Sequence, residues 1–536
     1  MENKRPIIAV VLSLFVLIGW SYLSEFMGWA PAPAPKETAA VEQTADVQKN
    51  VPAAEQVVAP ATVSSFVPTE GREVTVDTPL YSAVFHSQGG VLKHFKLKKY
   101  KDTIEEDSPL VELISDKAAG KAPMGILMNG QPTWKLASWQ FDGSDLKLDG
   151  SDKGQLVFVG ELEGVRFERT LTFDPASYLI SENVRMMDTT GVSRDFRLGV
   201  TMSTGSLSPE GGAYNLTRLA WYQDGFDEET SADDLTEKGV QVENNISWGG
   251  VMCNYFMAVM APADTASLFK GLLEDGVYRS VVEKNGVAVA AHGTTDFAID
   301  YYIGPKESDR LAAMPDKLSE TLNYGWFTFL AKPLVSGLKF FYSYVGNYGV
   351  AIIFLTILVK LLFWPLSQKS YKSMEQMKRL QPMVQKIKEK YGDDRQRMNQ
   401  EVMELYKTYK VNPAGGCLPM LLQIPVFLGL YQGLLNAIEL RHAPFIAHLP
   451  FTDIVWLADL SAADPFWITP IVMGATMLLQ QRLTPAPADP TQAKIMMFMP
   501  VIFTVMFLNF PAGLVVYWLV NNVLSIGQQW LMLRKS

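Results

Sequence analysis

Five apolar segments crowd the last third of the sequence, at residues 349–366, 415–437, 466–481, 495–508 and 514–533. They constrain the fold more than any other feature. A helix needs about 20 apolar residues to cross a hydrocarbon layer of ~30 Å. Inside that layer every backbone N–H and C=O must be paired within the chain, which leaves helices or closed barrels. A sixth uncharged run, residues 6–24, follows Lys4 and Arg5. It exceeds the ~7–15 apolar residues of a secretory signal. The prolines in Ala30-Pro31-Ala32-Pro33-Ala34 also make a poor cleavage site. An uncleaved anchor over residues 1–24 is therefore expected, giving six spans with both termini on one side.

Charge agrees with that count. Residues 25–340 hold 28 basic and 44 acidic side chains, and residues 341–536 hold 17 and 11. An acidic middle between basic, apolar ends points to separate compartments rather than to nucleic-acid binding, so no specific DNA partner is expected. The stretch 367–414 carries 11 basic and 6 acidic residues and is assigned to the cytoplasm. Residues 438–465 carry Arg441 against Glu439, Asp453, Asp459 and Asp464, and are assigned outside. Arg482 and Lys494 flank the next inner loop, and Arg534 and Lys535 close the tail.

A chain of 536 residues exceeds a single compact core. Residues 25–65, rich in Ala, Pro, Val, Glu and Gln, are expected to be a flexible linker. Residues 66–322 read as strands: Val74-Thr75-Val76-Asp77, the run from Leu80 to Phe85, Leu156-Val157-Phe158-Val159, the run from Phe167 to Phe173, and Leu198 to Met202. Short runs punctuated by Gly, Asp and Ser suggest an all-β antiparallel sandwich. His86, His94 and nearby carboxylates could be assembled into a sugar-active site, but no catalytic or metal-binding spacing accompanies them. Cys253 and Cys417 fall in different regions, which argues against a disulfide. No cofactor and no enzymatic activity are expected.

Residues 323–345, rich in Trp, Phe and Leu and broken by Lys332, Pro333 and Lys339, read as an interfacial amphipathic helix or a core helix of the sandwich. Residues 346–536 form the helical core. Within it, 367–414 reads as a helical hairpin. Met374, Met377, Leu380, Val384 and Ile387 make one apolar stripe, and Met398, Val402, Leu405 and Tyr409 make another. The turn Gly392-Asp393-Asp394 joins them. The segment 495–508 has only 14 residues, roughly 21 Å of helix, so the bilayer thins there or the helix is shielded.

Lys360 sits inside the first of the five spans. A cation at membrane depth costs ~2.5–3.5 kcal/mol on insertion scales, which by default marks function. The bland alternative is snorkelling, since Lys360 lies six residues before Leu366. Thr356 shares its helical face, Gln423 adds an amide, and Thr469, Thr476 and Gln480 line another span. Tyr517, Asn521, Ser525 and Gln528 make a stripe on the last. Each could be ordinary interhelical hydrogen bonding. Together they allow a wetted groove open to the cytoplasm, with Lys360 as its charge.

Several long runs resemble the YidC/Oxa/Alb family of membrane-protein insertases, over nearly the whole chain and closest to its bacterial branch with a large periplasmic domain. They include Val411-Asn412-Pro413-Ala414-Gly415-Gly416-Cys417-Leu418-Pro419, Gln423-Ile424-Pro425-Val426-Phe427, Phe498-Met499-Pro500-Val501-Ile502-Phe503-Thr504 and Phe510-Pro511-Ala512-Gly513 through Trp518. Gly325-Trp326 and Val345-Gly346-Asn347-Tyr348-Gly349 fit the entry to the helical core. The resemblance implies an inner-membrane insertase and folding chaperone without cofactor. Its partners would be nascent membrane proteins, the Sec translocon and its accessory subunits, the ribosome, targeting factors and membrane lipids. It implies a β-supersandwich in the periplasm, similar in fold to sugar-mutarotase domains, and a helical hairpin in the cytoplasm. It also implies a positive residue in a hydrophilic groove at the Lys360 position, where family members usually carry arginine. Arginine stays charged and forks its donors, whereas a desolvated lysine can lose its proton. Two other readings stand beside it: a secondary transporter using an intramembrane lysine, which the lack of an inverted repeat disfavours, and a scaffold whose sandwich does the work.

Overall fold

The computed structural model describes residues 65–208, 215–314, 317–391, 394–409, 411, 418–483 and 490–535. The expected anchor at 1–24 and residues 25–64 of the expected linker lie outside these, as do Gly392, Asp393 and the motif residues Asn412 to Cys417.

Period-two burial builds the β domain. Along Val165–Phe173 every second side chain is buried. The same alternation runs through Gly154–Leu162 and Leu179–Asp188, as a half-buried sheet face requires. The strands form sheets of five, nine and six members. Pairing is antiparallel except where Glu73–Asp77 runs parallel to Leu146–Lys147. Short helices at Asp116–Ala119, Thr133–Leu136 and Ala232–Glu237 interrupt an otherwise all-β domain. One core of Phe85, Phe95, Phe158, Phe167, Tyr178 and Trp248 joins the sheets. The two histidines have local roles. His86 Nδ1 accepts from Gln88 N at 3.1 Å, and His94 pairs with Glu112 at 2.7 Å and Asp116 at 3.3 Å. Cys253 is buried and unpaired, and Cys417 lies outside the described residues.

A charged group sits in the middle of this core. Arg169 is wholly buried and forks onto both oxygens of Glu182. It also donates to the carbonyls of Gly89 and Met124, while the Tyr301 hydroxyl donates to Glu182 Oε2 at 2.6 Å. Four donors and acceptors from distant segments are thus satisfied at one point. Removing one member strands the others without water.

Eight helices longer than ten residues follow among the described residues: α1 Thr328–Val345, α2 Tyr348–Leu362, α3 Trp364–Tyr391, α4 Arg395–Thr408, α5 Leu418–Asn436, α6 Ile468–Leu483, α7 Pro490–Phe507 and α8 Ala512–Lys535. No single described helix is both long and apolar enough to cross a membrane. The pair α2 and α3, bent by 65°, meets that test jointly. At ~1.5 Å per residue, the 15 residues of α2 reach only ~22 Å.

Three expectations need correction. The first span does not run to residue 366: α2 stops at Leu362, Phe363 caps it, and α3 begins at Trp364. Pro365 explains the break. It cannot continue a helix, because it lacks an N–H and clashes with the turn before it, but it fits a first turn. Lys360 therefore stands in the last turn of α2, and the hairpin begins before residue 367. Tyr409 is not part of the hairpin's buried stripe. It is 50% exposed just beyond α4, whereas Leu380, Val384 and Val402 are buried. Thr469 faces no groove: its N–H and hydroxyl bind Asp464 at 2.7 and 2.8 Å, tying down the start of α6.

The helical part has its own core, including Leu338, Ile352, Leu355, Leu434, Met473, Phe507 and Tyr517, with no member from the strands. Gly349 permits a close approach, since a Cβ there would strike the Phe445 ring. Helix α1 joins both parts, with Ala331 in the β core and Leu338 in the helical core. Lys339 reaches Glu439 at 2.7 Å and Asp309 at 3.2 Å, and Arg441 donates to the carbonyls of Lys101 and Asp102. Beneath this junction Asn254 accepts from Arg218 at 3.0 Å and donates to Leu435 O at 3.3 Å. The adjacent Lys306 amine is buried against Cys253 O at 3.3 Å, and burial, helped by Arg218, lowers its pKa to about 7.

Two outcomes are expected. Arg169→Ala should destabilise the β domain by about 3–5 kcal/mol in denaturant titrations, and adding Glu182→Leu to Arg169→Met should recover most of it. Lys306 binds its proton more tightly in the unfolded chain, so its contribution to stability should grow as pH rises from about 7 toward its ordinary value. Thermal unfolding compared between the parent chain and Lys306→Met should show the variant's advantage largest near and below pH 7 and vanishing in alkali.

Candidate functional site

The site is built where α2 meets α8. Asn347 caps α2 by accepting from Val350 N at 3.0 Å. Ala351, Ile352, Leu355 and Thr356 bury one face, and the opposite face leaves Phe354, Leu358, Leu361 and Leu362 exposed. Lys360 falls between the two. It is half-buried, and its Nζ donates to Asn521 Oδ1 at 3.0 Å and Ser525 Oγ at 2.6 Å. Ser525 Oγ in turn donates to Asn521 O at 2.7 Å. Among the described residues Lys360 forms no ion pair. Neutral oxygens hold the ammonium in place without cancelling its charge.

Helix α8 carries two polar stripes. Asn521, Ser525 and Gln528, spaced by four and three, share one face, and Lys360 contacts the first two. Gln528 is buried with neither end of its amide bonded among the described residues. The second stripe faces α6: Asn522 donates to Thr476 Oγ1 at 3.3 Å, and Gln529 to Leu483 O at 3.0 Å. The hydrophobic lock lies nearer the β domain, where Trp518 meets Phe427 edge-on at 4.7 Å.

The residues singled out in the sequence separate into groups. Lys360 and Asn521 touch directly. Gln423 on α5, half-buried, and the Tyr517 hydroxyl on α8 lie beside each other one turn away, without completing a hydrogen bond. Thr356 is buried, but its hydroxyl donates to Ile352 O at 2.6 Å within its own helix, so it offers no free donor to a groove. Asp394 is a helix cap: its side chain accepts from Arg397 N at 3.0 Å and starts α4, far along the hairpin from Lys360. Gly392 and Asp393 lie outside the described residues.

Sequence reasoning missed the base of α3. Ser367 and Ser370 are buried there, and the Tyr371 hydroxyl lies at Ser525. They close the site on the hairpin side. The signal was present: Ser367, Ser370 and Tyr371 follow a three-and-four step immediately after the Pro365 break, a polar face on a helix entering an apolar bundle.

Comparison with known proteins covers both halves of the chain. The family model for the YidC periplasmic domain matches residues 73–336, and that of the 60Kd inner membrane protein matches residues 340–536. The membrane protein insertase YidC of Oleidesulfovibrio alaskensis is 81% identical over 536 residues, covering 100% of each chain. That of Nitratidesulfovibrio vulgaris Miyazaki F is 60% identical over 549 aligned positions, again with 100% of each covered. A solved structure of an active YidC insertase with its first transmembrane domain resolved aligns with 87% of this chain and 94% of its own, at 19% identity and a TM-score of 0.36. The helical region with its half-buried lysine and the β domain before it thus match the two parts of one protein type, and this chain belongs to the YidC family of membrane protein insertases.

Proposed function

We propose that this chain is a cofactor-free insertase and chaperone that moves nascent inner-membrane proteins into the bilayer past Lys360, alone or with the Sec translocon and its accessory subunits. The observation that carries the reading is the setting of that amine. It emerges at the edge of an apolar helical core with two neutral partners and no described counter-ion. One turn along α8 from Ser525 lies a buried amide, Gln528, whose unmet bonding fits a site that water enters. Such a site attracts an acidic segment of an arriving chain.

The magnitudes fit this task. A carboxylate at membrane depth costs ~2.5–3.5 kcal/mol on insertion scales. A unit charge about 4 Å away returns ~1 kcal/mol in water and ~4 kcal/mol at an effective dielectric of 20. One lysine in a partly wet site can offset roughly one acidic residue. The short α2 supports a locally thinned bilayer beside the site, while α7, longer than the 14 residues expected, offers the exposed Met497, Phe498, Val501, Ile502 and Val505 as an apolar face. The substrate's apolar helix would then leave along the faces of α5 and α7.

The proposed topology places the anchor and five helices in the inner membrane, the β domain in the periplasm, and both termini and the hairpin in the cytoplasm. Its support is the distribution of basic residues described above. The hairpin's exposed Lys372, Lys378, Lys386 and Lys407 offer contact to the ribosome, targeting factors or lipid head groups.

In cells depleted of the native protein, Lys360→Arg should restore insertion of substrates with acidic translocated tails. Lys360→Ala and Lys360→Glu should slow it about tenfold or more, the equivalent of ~1.4 kcal/mol, while neutral-tailed substrates change little. Normal insertion of acidic tails by Lys360→Ala would sink the assignment. Because the helical core has no member from the strands, removal of residues 70–300 should leave most insertion intact in the same assay. Complete loss would instead put the work in the β domain.

A further inference from the structure

The segment between α5 and α6 holds a feature that the groove does not explain. Residues 445–457 form a small hairpin: Phe445 N donates to Leu457 O at 2.9 Å, Trp456 N to Ala447 O at 3.1 Å and Leu449 N to Ile454 O at 2.8 Å. Its tip is the turn Leu449-Pro450-Phe451-Thr452, closed by Thr452 N donating to Leu449 O at 3.0 Å. Phe451 occupies the third position with φ +66°, a left-handed conformation that turns reserve for Gly or Asn. A bulky aromatic there is strained, and its side chain is fully exposed, at 106%. Trp467 repeats the pattern at the segment's far end, with φ +56° and 53% exposure. A backbone conformation of this kind persists only where the surrounding structure over-determines it. Here it buys two aromatic rings held out of the protein.

We propose that the Phe451 hairpin is an anchor seated among the lipids of the outer leaflet. The inference rests on reading the apolar helices as membrane spans. Three observations select lipid as the occupant. Trp467 leads directly into α6, whose Ile471, Val472, Leu478 and Leu479 are exposed, so the hairpin's segment continues into a lipid-facing apolar surface. Tryptophan side chains at such helix ends sit at the level of the head groups. From His442 to Gln481 the sequence has no Lys or Arg, and the tip's one charge is Asp453, so the contact rests on the Phe451 ring and not on anionic head groups. The base of the hairpin is firm. Asn347 donates to Phe445 O at 3.1 Å, Phe445 packs on Gly349, and Gly513 N donates to Leu460 O at 2.9 Å. The depth of the tip is thereby transmitted to the starts of both α2 and α8, the two helices that hold Lys360.

The test uses the full chain in phosphatidylcholine vesicles, with Cys253→Ala, Cys417→Ser and a single environment-sensitive fluorophore at Ile454→Cys. Lipids brominated near the head group should quench it, without any need for anionic lipid, and adding Phe451→Ser should abolish the quenching. A second label at Leu358→Cys, on the exposed face of α2, reports the span itself and should be quenched by lipids brominated deeper in the chain. Quenching at 358 but not at 454 overturns the anchor and leaves the spans standing. Loss at both positions overturns the span reading and the anchor with it. Quenching at 454 that survives Phe451→Ser removes Phe451 from the proposal. An unquenched 454 probe that crosslinks to a stalled nascent chain assigns the tip to substrate and overturns it.

Discussion

The hydrogen bonds from Lys360 to Asn521 and Ser525 set the terms for the helical core. An ammonium group among apolar helices needs oxygen partners, and these come from a helix 161 and 165 residues further along the chain. That requirement makes α2 and α8 neighbours and fixes the rotation of α8, so that Asn522 and Gln529 turn to α6. The apolar packing of Ile352 and Leu355 against Leu514 to Tyr517 would tolerate small rotations. A two-point bond to an amine tolerates them less. The same bonds hold the charge at the bundle's edge without neutralising it, which an ion pair would not do.

The break at Phe363 is the second constraint. Pro365 ends α2 two residues after Lys360 and turns the chain by 65° into α3, so the hairpin base closes over the polar site with Ser367, Ser370 and Tyr371. One proline thus shortens the helix that carries the cation, brings the amine near that helix's end, and sets a polar helix beside it. On the other side of the core the β domain is fastened through Lys339, Arg441 and Asn254. These are polar contacts around a small apolar seam at Ala331 and Ile438. Such a junction holds a large domain in register without merging its core with that of the helices.

Much of this could be read from residue order. Alternation in Phe167 to Phe173 gave a strand because successive side chains must face opposite sides of a sheet. The apolar runs gave helices because they are too long and too uniform for much else. Hydropathy hides the break at Pro365, because the apolar run continues through Phe363 and Trp364 and a missing N–H leaves no mark on it. Thr356 lies four residues before Lys360, yet spacing cannot tell whether a hydroxyl turns outward or bonds its own helix, as this one does to Ile352 O. The buried charge at Arg169 was illegible, since Gly89, Met124, Glu182 and Tyr301 are far apart in sequence and carry no shared pattern.

The sequence by itself determined which segments are apolar helices, which are strands, that one of those helices carries a cation and which family the chain belongs to. Those properties follow from local composition, periodicity and long matching runs. Only the tertiary structure decided which oxygens hold Lys360, that Thr469 serves Asp464, that Tyr371 closes the site, and that Phe451 is held out in a strained turn. Each of these depends on which distant segments come into contact, and contact is set by the packing of whole surfaces that no local stretch of residues encodes.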